Sequence, residues 1–138
     1  MQGFLSQLQA TANNFFLQDH SYTRRADGEG TIRVNGASQT GNQLDLDGFI
    51  SGTYAFLVGD FFEVNGELKM CTADATISTG GATIQFVPEL RSAPDDNALV
   101  EIHAPKGIFR LISNESGWST RSPVISTFSF DCVEDVIA

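Results

Sequence analysis

Between Phe61 and Cys71 two short runs, Phe61-Phe62-Glu63-Val64 and Glu67-Leu68-Lys69-Met70-Cys71, are split by Asn65-Gly66. An Asn-Gly pair between alternating runs is the strongest short-range signal for a β-hairpin. Its type I′ turn needs positive φ at both central residues, which Asn tolerates and Gly adopts freely. Alternation predicts that Phe62 and Val64 share one face, as do Leu68 and Met70, with Glu63, Glu67 and Lys69 on the other. A second hairpin is expected at Thr79-Gly80-Gly81, between Ala75–Ser78 and Ala82–Val87. Pro88 ends that run because it has no N–H to give to a ladder. Pro94-Asp95-Asp96-Asn97 is a turn cluster, and Leu99–His103 alternates again. From Gly59 to Glu101 the chain therefore reads as β-scaffold, without an active-site pattern.

The remaining strands are expected at Phe15–Asp19, Thr31–Val34, Tyr54–Val58, Ile108–Ile112 and Val124–Val133, the last being the longest. Residues 36–54, with Gly36, Gly41, Gly48 and Gly52, read as a loose segment holding one short strand near Gln43–Leu46. His20–Arg25 reads as a polar loop. The single helix is expected over residues 3–13, where Phe4, Leu5, Leu8 and Ala12, continued by Phe15, form an apolar stripe. The fold class is mainly β: a small β-barrel or sandwich with one short N-terminal α-helix. Seams near 26–30 and 104–107 divide the chain into an inserted barrel-like domain, 27–105, and a discontinuous helix-and-strand unit, 1–26 plus 106–138.

A net charge of −9 argues against partners that need phosphate neutralised, and no nucleic-acid partner is expected. Residues 1–20 lack the basic start and apolar block of a signal peptide. No apolar run approaches the ~18 residues that span a bilayer, so no membrane insertion is expected. Cys71 and Cys132 form no Cys-x-x-Cys pair and read as buried small hydrophobes of a reducing compartment, their mutual distance left open.

No constellation stands out for catalysis. His20 and His103 lack ligand spacing. Asp45-Leu46-Asp47-Gly48 lacks the further acids and the closing Glu of a calcium loop, and no nucleophile elbow or phosphate loop occurs. The expectation is a non-enzyme without cofactor or metal. Trp118, beside Arg121, is the candidate surface-binding aromatic, with Tyr54 as a second stacking residue. Phe4, Leu8, Phe128 and Phe130 are the candidate assembly interface: the first two on the helical stripe, the others on a flat terminal strand that must pair or add to a neighbouring sheet.

Several stretches also resemble, in order and spacing, tail-tip proteins of long-tailed bacteriophages, close to the distal tail protein. They are Phe15-Phe16-Leu17-Gln18-Asp19-His20, Val34–Gly41, Gly59-Asp60-Phe61-Phe62, Pro88–Asn97, Phe109-Arg110-Leu111 and Phe128-Ser129-Phe130. Members of that family carry several β-strands ahead of the helix, whereas this chain starts at the helix. The resemblance implies a virion structural protein of the tail or baseplate, assembled in the host cytoplasm. It implies a homo-oligomeric ring, usually a hexamer, that joins the tail tube to the tip hub. The alternative expectation is a carbohydrate or host-surface binding module.

Overall fold

Asn65 and Gly66 adopt φ of 53° and 76°, the left-handed pair that a type I′ turn requires. They join β5 (Phe61–Val64) to β6 (Glu67–Cys71) in the computed structural model, which describes residues 14–112, 117–121 and 125–135. Among the described residues there is no α-helix. The helix expected over 3–13, with Phe4 and Leu8, lies outside them. The protein is mainly β and divides into two compact units, Gln18–Gly107 and Met1–Leu17 with Ile108–Ala138.

The larger unit is a six-stranded antiparallel sheet that nearly closes into a barrel. Besides β5 and β6 it contains β2 (Glu29–Val34), β3 (Gln43–Ser51), β8 (Ala82–Val87) and β9 (Val100–Glu101), in the order β2-β3-β8-β6-β5-β9. The residues leading into β9 return to β2. Asn97 donates to the Val34 carbonyl at 2.9 Å, and Val34 donates to Ala98 at 3.0 Å. The short pair β4 (Tyr54–Phe56) and β7 (Ala75–Thr76) lies outside this sheet. Inside the barrel, alternate residues form one core: Ile32, Val34, Leu44, Leu46, Val64 and Ile84 surround Phe56, Phe62 and Phe86. The three rings meet at 5.4 Å and 5.3 Å between centroids, the spacing of favourable aromatic contacts.

Residues 43–51, expected to be mostly loose, form β3, which spans nine residues. The glycines that suggested a loop are what let it bend. Gly48 has φ of 89°, and a Cβ on Gly30 or Gly48 would collide with the facing backbone of Gly48 or Thr31. Only glycine admits that approach, where the β2–β3 register shifts in a bulge. The second hairpin also differs in part. Thr79-Gly80 makes a turn closed by reciprocal Ser78 and Gly81 bonds, but β7 pairs with β4, while β8 pairs with β3 and β6.

The alternation expected in β6 is inverted. Glu67, Lys69 and Cys71 face the interior at 3, 1 and 0% exposure, whereas Met70 is 37% exposed. The cause is the turn. With two residues in the loop, Val64 and Glu67 are direct partners, as are Phe62 and Lys69, and direct partners of an antiparallel pair point to the same side. Because Phe62 and Val64 face the core, Glu67 and Lys69 must follow them.

The smaller unit holds a three-stranded sheet, β1 (Asn14–Gln18), β10 (Lys106–Leu111) and β13 (Cys132–Glu134), in the order β1-β10-β13. It also holds the hairpin of β11 (Gly117–Arg121) and β12 (Ile125–Ser129). The run expected as one strand from Val124 to Val133 is two, β12 and β13, interrupted at Phe130-Asp131; Val124 lies outside the described residues. Each half has its own partner, β11 for the first and β10 for the second. Phe15 and Leu111 are buried together, with Phe109, Phe130 and Cys132 packed on them.

Candidate functional site

Asp60 follows a tight turn and is completely buried at the start of β5. Its carboxylate accepts from the backbone N–H groups of Arg25 at 3.1 Å, Ala26 at 3.2 Å and Leu57 at 2.9 Å, and from the Tyr22 hydroxyl at 3.4 Å. The Tyr22 oxygen in turn accepts from the Phe61 N–H at 3.0 Å. Burial pushes the Tyr22 phenol above its ordinary pKa. Beside this cluster the Arg24 guanidinium, 6% exposed, donates to the carbonyls of Gly28 at 2.6 Å and Ala55 at 2.5 Å. It also lies over the Phe56 ring at 5.3 Å. Arg25 donates to the Val58 carbonyl. The polar loop expected over His20–Arg25 thus continues through Ala26, and residues 22–26 are a strap fastened to the barrel by hydrogen bonds, without strand pairing.

A second buried charge cluster lies on β6. Lys69 Nζ meets Glu67 at 2.6 Å and donates to the Glu89 carbonyl at 2.9 Å. Glu67 also accepts from the Arg91 N–H at 3.1 Å, and the Arg91 side chain lies 3.7 Å away. Burial pushes the Glu67 carboxyl up, but the Lys69 and Arg91 bonds and charges outweigh it and hold the group below its ordinary value. Cys71, next inward on the strand, is a free thiol pushed to about 12 by burial, with the Asp60 carboxylate adding to the shift. These groups hold one another and the backbone, so their chemistry is that of a scaffold.

Concavities on the barrel's outer surface include a polar groove and an apolar pocket, both lined by described residues. A polar groove of about 330 Å³ is lined by Asn35, Asp45, Thr76, Ser78 and Thr83 among others, and in it Asp45 accepts from the Thr83 hydroxyl at 2.6 Å. An apolar pocket of about 70 Å³ is lined by Asp19, Tyr22, Phe61, Leu68 and Pro105.

The residues singled out from sequence do not converge on one described site. Phe4 and Leu8 lie outside the described residues. Trp118 on β11 and Phe128 on β12 are direct register partners. Phe130 is half-buried and meets Phe15 edge-on at 6.0 Å, which ties it to the small core of its own unit. Tyr54 is 39% exposed on β4. His103 lies 3.1 Å from Glu29. Cys132 is free and only half-buried, where burial was expected. The alternation argument missed Asp60, Glu67 and Lys69. For the last two the signal was present, because a two-residue turn makes Val64 and Glu67 partners. For Asp60 no local pattern marks the strap that covers it.

No family model matches the chain, and comparison with curated proteins finds no match.

Proposed function

We propose that the chain is a structural component of a bacteriophage tail tip, similar to the distal tail protein, which forms a ring between tail tube and hub through protein–protein contacts. The observation that supports this reading is the division of labour along the chain. A barrel braced internally by Asp60, Glu67 and Lys69 occupies Gln18–Gly107, and a separate β-unit is built from segments on both sides of it in sequence. Such a scaffold suits load-bearing assembly, with the ordered motifs from Phe15–His20 to Phe128–Phe130 supplying the family resemblance. Light scattering with negative-stain images of the purified protein tests it. A closed symmetric oligomer is the expected result, lost in Leu8→Asp and Phe128→Asp variants. A protein that stays monomeric even with tube and hub proteins added would refute it.

A second reading, a saccharide-binding module, is favoured by the polar groove along β3 and β8, where amide, carboxylate and hydroxyl groups converge. Glycan-array binding lost on Asp45→Ala would support it, and a flat array would count against it. Loss on Trp118→Ala instead would move the site to the smaller unit.

A further inference from the structure

The inversion of β6 has an outward counterpart. With Glu67, Lys69 and Cys71 turned inward, Leu68 and Met70 emerge on the outer wall of the barrel. There the ladder aligns them with neighbours. Phe61 is the direct partner of Met70, and Met70 is the direct partner of Val87. This makes an apolar row across β5, β6 and β8 in which Met70 and Val87 are 37 and 43% exposed. The next row along the wall is Glu101, Glu63 and Leu68. Tyr22 stands edge-on to Phe61 at 5.3 Å and, with Leu68 and Pro105, walls the pocket of about 70 Å³. A single water needs only about 10–15 Å³ of such cavity volume, so the pocket has room for one short aliphatic side chain.

The border of this patch is acidic. Glu63 and Glu101 are direct register partners, a like-charge pairing that is unfavourable across strands. Lys106 donates its N–H to Glu63 at 3.3 Å, and its ammonium offsets part of the repulsion. Asp19 on the pocket rim is bound by the Ser21 hydroxyl at 2.6 Å and N–H at 2.8 Å, which fixes its carboxylate in place. A cation arriving between Glu63 and Glu101 would relieve the pairing. With a net charge of −9, a second copy of this chain is a poor source of one.

We propose that this wall docks a basic segment of another protein, with one aliphatic side chain entering the Tyr22–Phe61–Leu68–Pro105 pocket and a neighbouring Lys or Arg meeting Glu63 and Glu101. The inference rests on the assembly role only in taking a protein segment as the partner.

The test uses the full chain with labelled methyl groups, titrated with a capped pentapeptide that has a central leucine between two lysine–arginine pairs. Saturable shifts are expected at the Met70, Leu68 and Val87 methyls. Binding should weaken at least tenfold when the central leucine is serine, or in Met70→Lys, and several-fold in Glu63→Gln, which keeps an acceptor for the Lys106 N–H. Equal binding of the serine peptide, or shifts elsewhere on the protein, would overturn the proposal. So would methyl shifts on simple dilution without peptide, which would make a second copy the occupant. Light scattering on the same samples separates the two readings. A ring that ignores the peptide overturns this inference alone, and a protein that binds the peptide but stays monomeric even with tube and hub proteins added leaves this surface standing while the ring reading falls.

Discussion

Replacing Asp60 with alanine should cost about 3–5 kcal/mol of stability, a large share of the ~5–15 kcal/mol typical of a domain. Asp60→Ala removes the acceptor for three backbone N–H groups and the Tyr22 hydroxyl. A buried donor left without an acceptor costs about 1–3 kcal/mol. Ala26 is buried and should bear the full penalty, whereas Arg25, with a largely exposed side chain, can turn to water. Leu57 falls between them. Asp60→Asn keeps one acceptor oxygen, so its loss should be smaller, about 1–2 kcal/mol. Urea unfolding followed by circular dichroism measures the totals. Amide hydrogen exchange of the native protein locates them, with Ala26 and Leu57 expected to lose protection first. A loss below about 1 kcal/mol in Asp60→Ala, or unchanged protection at Ala26 and Leu57, would refute the view that this carboxylate fastens the strap.

Lys69→Met should destabilise by about 3–5 kcal/mol, because it strips the Glu67 carboxylate of its closest buried cation, and adding Glu67→Gln should recover much of that in the same urea assay. Glu67 and Asp27 have folded-state pKa values below their ordinary ones: for Glu67 the Lys69 and Arg91 contacts outweigh burial, and for Asp27 the Tyr54 and Thr53 N–H bonds hold the carboxylate. Their contribution should be complete above the ordinary carboxylate range near pH ~4 and fade as pH falls below it, read as a falling urea midpoint. Burial raises the pKa of Glu63 instead, so its ionisation weakens the fold as pH rises through that value. Glu63→Gln should therefore be neutral to slightly stabilising at pH 7 and flatten the slope on the acid side. Cys71, with its thiol near 12, should react with a thiol reagent at pH 8 only as fast as the barrel opens, and rapid labelling in the native state would contradict its placement.

The elements that were legible from sequence are those set by local chemistry. Asn65-Gly66 favours a left-handed turn, Thr79-Gly80-Gly81 marks a tight turn between two runs, Pro88 ends β8, and the alternation of Thr31–Val34 and Ala82–Val87 marks one buried face. Those features determine a mainly β chain and most of its hairpin positions. The face of β6 was also determined locally, by the turn's pairing of Val64 with Glu67, although hydropathy pointed the other way.

Tertiary structure alone decided the rest. The glycines of residues 36–54 mean a loop when neighbours are ignored, and they mean a bent nine-residue strand once Thr31 is pressed against Gly48. Phe130 looks like one step of a continuous strand until Phe15, distant in sequence, packs against it. Asp60 looks like a surface turn residue until residues 22–26 cross over it. Glu67 and Lys69 can face inward because Glu89 and Arg91, brought back after β8, complete their hydrogen bonds. Local sequence sets backbone angles and side-chain alternation, but whether a polar group can be buried depends on which distant donors and acceptors the closing barrel brings to it.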